Sequence, residues 1–204
     1  MNRIEIKNKA KEMIKGNLWH IWKIYLVVFA VAFLVGLVEG LFASVPIVSL
    51  LVSLVSIVIS AALSIASMYY ILKFVRNEKI EINDVFEFAK KHWVISVLST
   101  LLVGLCVIGG TILLVIPGII ISFGLYFSSY VVADNPELSP TEVVKESWNL
   151  TKGYKMDLFI FGLSFIGWAI LAPLTFGLLY IWLIPYMIVA TTLLYEELKK
   201  KQAK

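Results

Sequence analysis

The sequence is poor in almost everything that a soluble enzyme uses. Among 204 residues there is one cysteine, two histidines and six prolines, and only 16% of the chain is charged. One cysteine cannot form an internal disulfide or a metal cluster, so a disulfide-rich secreted module is excluded. A soluble domain carries about 25% charged residues, so these charges are too few to coat one. A disordered chain is excluded by the opposite excess, 60% hydrophobic residues. Phosphate-binding and catalytic signatures are missing too. Gly109 and Gly110 run into an apolar stretch with no Lys-Ser/Thr pair. No H-E-x-x-H and no nucleophile elbow occurs. Neither a cofactor nor a metal site is expected, and the chain reads as a non-enzyme. No basic, aromatic-bearing soluble segment is long enough to bind nucleic acid.

What is present is apolar sequence in long runs. Asp, Glu, Lys and Arg are missing from residues 24–38, 40–72, 92–133 and 158–195, and Glu39 alone separates the first two. A helix needs about 20 apolar residues to cross a bilayer. Merged across Glu39, the stretches are 49, 42 and 38 residues long. Each holds turn formers near its middle: Gly40 and Pro46, then Gly109, Gly110, Pro117 and Gly118, then Pro173 and Gly177. The expected fold is all-α and polytopic: six transmembrane helices in three hairpins, forming one membrane domain. Strands of a membrane barrel would alternate apolar and polar residues, and these runs do not.

The hairpins are expected over residues 24–72, 93–133 and 158–195. Four polar segments flank them: 1–23, 73–92, 134–157 and 196–204. These segments hold six, five, three and four basic residues, which is all 18 in the chain. By the positive-inside rule they face the cytoplasm, with both termini there. The net charge of +4 then belongs to an inner face lying against anionic lipid. The N-terminus lacks a small-x-small cleavage pattern and does not read as a signal peptide.

The polar segments carry helix signals. Ile6, Ala10, Met13 and Ile14 recur at helical spacing among lysines, with Gly16-Asn17 as the stop. Such an amphipathic helix is expected on the inner leaflet. Ser139-Pro140-Thr141-Glu142 is a capping box with proline at the first position, predicting a helix over 140–152 that ends at Gly153. Ile80, Ile82, Val85, Phe86 and Phe88 suggest a short amphipathic helix before Lys90-Lys91-His92-Trp93. Amphipathic segment, basic-aromatic junction and hairpin thus recur three times, as an internal repeat or as the common look of inner-anchored hairpins. Trp19, Trp22, Trp93 and Tyr195 are expected as membrane-interface anchors. Cys106 is expected as a small buried hydrophobe.

Two features inside the runs are candidates for function. Glu39 lies 15 residues beyond Ile24, about 22 Å along a helix, in the outer third of the bilayer. It is either a residue near an outer turn or a proton- or cation-linked group. It lies near Ala32, Gly36 and Gly40, small residues four apart that suit close helix packing. The second feature is a stripe of serines at 49, 53, 56, 60, 64 and 67, all on one helix face. Ser53, Ser56, Ser60 and Ser64 form its centre, and they either pack against another helix or line a wet path. Ser122, Tyr126 and Ser129 make a shorter polar face on the fourth helix.

Several longer motifs resemble a known family. They are Ile116-Pro117-Gly118-Ile119-Ile120, the segment from Tyr130 through Asp134-Asn135-Pro136 to Ser139, Glu146-Ser147 with Thr151-Lys152-Gly153, and Leu163-Ser164-Phe165-Ile166-Gly167-Trp168. Pro185-Tyr186, Tyr195-Glu196-Glu197, Lys7-Asn8-Lys9-Ala10-Lys11 and Lys15-Gly16-Asn17 complete the pattern. The chain resembles bacterial integral-membrane proteins of domain-of-unknown-function family 975, found mainly in Gram-positive bacteria. The resemblance implies a multi-span plasma-membrane protein and no particular activity. The expected role is a non-enzymatic accessory, immunity or envelope-stress component, with a membrane-protein partner or a second copy of the chain. The alternative is a small transporter or channel using Glu39 and the serine face.

Overall fold

The structure, a computed structural model, describes residues 2–202. Those residues form nine α-helices: α1 (Arg3–Ile14), α2 (Leu18–Phe42), α3 (Pro46–Val75), α4 (Ile82–Leu113), α5 (Val115–Gly124), α6 (Ser128–Asp134), α7 (Pro140–Thr151), α8 (Lys155–Leu174) and α9 (Tyr180–Gln202). Six stretches are long and apolar enough to cross a membrane: α2, α3, α4, α5 with α6, α8 and α9. The fold is therefore all-α, with six candidate spans paired as α2–α3, α4–α5/α6 and α8–α9.

The turns follow the local chemistry. Pro46 opens α3, where its missing N–H costs nothing. In the second hairpin α4 and α5 approach so closely that a Cβ on Gly118 would fall 2.8 Å from the Cα of Thr111. α7 has both halves of its capping box, Ser139 and Glu142 each bonding the other's backbone N–H. The Ser139 partners hold the Glu142 pKa below its ordinary value. α1 and α7 end identically: an extended lysine, Lys15 or Lys152, precedes a left-handed glycine, Gly16 or Gly153, at φ +82°. The hydrogen bonds Asn17 N to Ile14 O and Tyr154 N to Thr151 O, both 3.0 Å, close two type II turns that launch α2 and α8. At the third junction there is no turn. The expected short helix runs unbroken into α4, with a kink at His92 (φ −115°, ψ 21°) whose carbonyl oxygen accepts the Ser96 hydroxyl.

The core lies toward the end that bears the termini. It joins Ala62–Val75 of α3, Val85 to Ala89 of α4, α6, Val143 and Leu150 of α7, and α9 from Leu183 to Leu198. All the basic segments among the described residues meet at this end. Arg76 bridges Asp134 (2.8 Å) and Glu196 (2.6 Å), Lys199 also bonds Asp134, and Tyr195 Oη donates to Asp134 at 3.0 Å. α3, α6 and α9 are thereby tied together where they leave the apolar layer. Asp134 foremost, with Glu196, holds the Arg76 guanidinium in its charged form, raising its pKa. In the opposite halves of α2 to α5 the large apolar side chains are exposed.

Three features go beyond the sequence reading. α1 packs on the helix bundle. Ile6, Ala10 and Ile14 are buried against α9, while Lys7 Nζ donates to Ser164 O and caps the Phe165 ring, so α1 is wedged between α8 and α9. Burial, and then Lys11, hold the Lys7 pKa down. The second leg of the second hairpin is not one helix. α5 stops at Gly124 because the Trp148 ring of α7 packs on that residue, where a Cβ would lie 2.3 Å from the ring. Ser147 and Thr151 donate to the Gly124 carbonyl oxygen at 3.2 and 2.9 Å, replacing its lost helical partner. Finally, the turns do not share one level. From the Arg76–Glu196 pair, α3 rises 30 residues to Pro46, about 45 Å, and α9 only 16 residues to Tyr180, about 24 Å.

Candidate intramembrane cleft

A cleft of about 520 Å³ lies between α2, α3 and α4, and it is polar along one wall. Glu39 of α2 faces it, with Ser53, Ser56, Ser60 and Ser64 of α3, Thr100 of α4 and Ser129 of α6. Glu39 and the centre of the serine stripe, 14 or more residues apart in sequence, thus line one space. The lining includes no basic residue.

The stripe divides by position. Ser67, near the core, is buried and donates to the Ser64 carbonyl of its own helix at 2.6 Å. Ser56 is also buried and donates to Val52 O at 2.9 Å, a back-bond that satisfies the hydroxyl within the helix. Ser60 and Ser64 are exposed to the cleft. The stripe therefore packs at its inner end and faces open space along its middle.

A smaller recess of about 70 Å³ continues inward, lined by Ile65, Ser99, Thr100, Val103, Ser128, Ser129 and Val132. It shares Thr100 and Ser129 with the cleft. Ser128 Oγ is satisfied by Leu125 O at 2.7 Å. Ser99 is different: it is 2% exposed, and its hydroxyl has no hydrogen-bond partner. A buried unpaired hydroxyl costs about 1–3 kcal/mol, and nothing in the sequence marked Ser99 or Thr100. They lie on α4, whose polar residues show no stripe, and only the packing of α4 on α3 brings Thr100 to the cleft and Ser99 to the recess. On the other side of Ser56 an apolar groove of about 360 Å³ runs between α2 and α3, walled by Leu34, Val35, Val38, Leu51, Val52, Val55 and Ile59.

The other expected residues fall elsewhere. Ser122 bonds Gly118 O within α5, and Tyr126 lies in the break after α5, so of the shorter polar face only Ser129 reaches the cleft. Trp19 and Trp93 are exposed, as lipid-interface rings would be. Trp22 is half-buried and donates to Ile181 O at 2.8 Å. Tyr195 is not an interface anchor: it is 2% exposed, packed on Phe127 and Tyr130, with its hydroxyl on Asp134. Cys106 is half-buried rather than buried. Gly36 and Gly40 meet no neighbour, so their small-residue series packs on nothing among the described residues. Nor do those residues group three His, Cys, Asp or Glu side chains that could hold a metal ion.

One family comparison matches the chain. The family described as Protein of unknown function (DUF975) covers it in two overlapping segments, residues 1–109 and 103–202. Each segment contains one amphipathic helix, one Lys-Gly turn and the hairpin that follows. No curated protein and no solved structure matches.

Proposed function

The chain belongs to the DUF975 family, whose function is unknown, and on that premise we propose a non-enzymatic binding component of the bacterial plasma membrane. In this reading both termini are cytoplasmic, because all 18 basic residues lie in the four polar segments of the sequence. The protein serves as an accessory, immunity or envelope-stress component through contacts made within the bilayer. The observation that carries the reading is the convergence of Glu39, four stripe serines, Thr100 and Ser129 on one cleft between α2, α3 and α4. In lipid such a set is costly unless a polar group meets it. Hydroxyls that both donate and accept, beside one carboxyl, suit recognition.

The test is access to the cleft. Single cysteines at positions 53, 60 and 64, in a Cys106→Ser background, should react with a small water-soluble thiol reagent applied from the side of the turns. Uniform protection would show a dry, packed face and would end the binding reading.

The inward recess favours one second reading, a transporter or channel in which the cleft is the outer half of a path. A proton or potassium flux through reconstituted protein, abolished by Glu39→Gln and Ser60→Leu at unchanged protein level, would establish it. Below the recess, however, the aromatic packing of Phe127, Tyr130 and Tyr195 and the Arg76–Asp134–Lys199 cluster close the bundle. That closure supports binding over conduction.

A further inference from the structure

We propose that the occupant of the cleft is a lipid whose head group ends in a primary ammonium, with an acyl chain in the adjoining groove. The inference rests on the reading of the cleft as a binding site and names its ligand.

Three observations converge on that chemistry. The first is the polarity of the lining. A carboxyl group and a row of hydroxyls offer acceptor oxygens, while no Lys, Arg or His lines the cleft. A head group ending in a phosphate or carboxylate would find no cation there, whereas one ending in N–H donors finds acceptor oxygens along the polar wall. The second is Ser99. Its hydroxyl is buried, has no partner, and lines a recess that shares Thr100 and Ser129 with the cleft. The recess of about 70 Å³ has room for an ammonium and a single water, since a water occupies about 30 Å³. An N–H donor arriving there gives the Ser99 oxygen the partner it lacks. The third is the apolar groove along Leu34, Val38, Leu51 and Val55, which meets the polar cleft at Ser56. A polar and an apolar compartment sharing one wall fit a molecule with a polar end and a long apolar chain. A soluble amine would leave the groove to other lipid.

The size of the preference follows from donor count. A primary ammonium offers three N–H donors, and a quaternary ammonium of the same charge offers none. Charge alone would bind both equally, so their comparison isolates hydrogen bonding.

The experiment uses the purified full chain in mild detergent with an equimolar mixture of dioleoyl phosphatidylethanolamine, phosphatidylcholine and phosphatidylglycerol, read by native mass spectrometry. At least tenfold retention of phosphatidylethanolamine over phosphatidylcholine is expected. Glu39→Gln should bring the ratio to near one, and Glu39→Asp should keep most of it. Ser99→Ala should lower phosphatidylethanolamine retention severalfold and leave phosphatidylcholine unchanged. Equal retention of the two lipids in the native protein would overturn the proposal. So would a preference untouched by Glu39→Gln, or displacement of the lipid by millimolar free ethanolamine. Labelling of Ser60→Cys separates the two levels of failure. With bound lipid first removed by detergent exchange, a reactive cysteine with no lipid preference overturns the ligand and leaves the cleft as a binding site; a protected cysteine overturns both.

Discussion

The indole Nε1 of Trp22, in the second turn of α2, donates to the carbonyl oxygen of Ile181, in the first turn of α9, at 2.8 Å. That carbonyl is free because its helical partner would be the N–H of residue 185, and residue 185 is proline. A kink-forming proline and a tryptophan from another helix thus make one unit. Replacing Trp22 by Phe keeps the ring and removes the donor. We expect a loss of about 0.5–1.5 kcal/mol, the net contribution of one hydrogen bond. In a Pro185→Ala background, where the helix supplies its own N–H, the same change should cost much less. Denaturation of the four proteins of this cycle in mixed micelles measures the coupling; additive effects would dissociate the two residues.

The same contact sets heights. Beyond Trp22, α2 continues 20 residues to Phe42, about 30 Å. α8, whose Trp168 ring stands 6.1 Å from that of Trp182, continues only six residues to Leu174, about 9 Å. This stagger of about 20 Å agrees with the one measured from the Arg76–Glu196 pair. An impermeant maleimide applied from the side of the turns should therefore label Ser44→Cys quickly and Leu178→Cys slowly, both without Cys106. Equal rates would put the two turns at one water surface and contradict the stagger.

How much of this was legible in the sequence follows from the range of each interaction. Span number, the α7 capping box and the Gly16 and Gly153 stops depend on neighbours within a few residues, and composition or spacing reveals them. The cleft is half legible. The period of Ser53, Ser56, Ser60 and Ser64 puts them on one face, yet that face could have packed or stayed open. Which it does depends on how far α2 splays, a property of helix packing. Ser99 and Thr100 carry no local pattern, and Tyr195 read as an interface ring because Asp134 is 61 residues away in the chain. The break after Gly124 is invisible for a similar reason, since its cause is Trp148 on another helix.

That break gives a sharp test. A methyl group at Gly124 would sit 2.3 Å from Cε3 of Trp148, so Gly124→Ala must push α7 off the bundle. Overpacking of this kind costs about 1–3 kcal/mol. Adding Trp148→Leu should recover part of it by making room, although that change alone is destabilising. Thermal unfolding of the single and double variants checks the compensation; a double variant no better than Gly124→Ala would show that the ring is not the obstacle.

Asp134 holds its partners from a side chain that is only 7% exposed. Asp134→Asn leaves Arg76 and Lys199 without that carboxylate, and because both cations keep access to water the cost should be about 1–3 kcal/mol, that of charge-assisted hydrogen bonds. Glu196→Gln should cost less, because Arg76 keeps Asp134. If the two substitutions prove equal in denaturant unfolding, Asp134 is not the hub.

Acid should loosen α7 through Glu142. Its folded pKa lies below the ordinary carboxylate value because the ionised form accepts from Ser139. A carboxyl with a depressed folded pKa stabilises the native state above its unfolded pKa, and that contribution disappears as pH falls through the folded value. Glu142→Gln keeps a side chain that can accept from Ser139 but cannot titrate. The melting-temperature advantage of the native protein over Glu142→Gln should therefore be full at pH 6 and shrink on acidification below the ordinary carboxylate range. A difference that stays constant down to pH 3 would mean that the capping carboxylate contributes through shape alone, since only its ionisation changes across that interval.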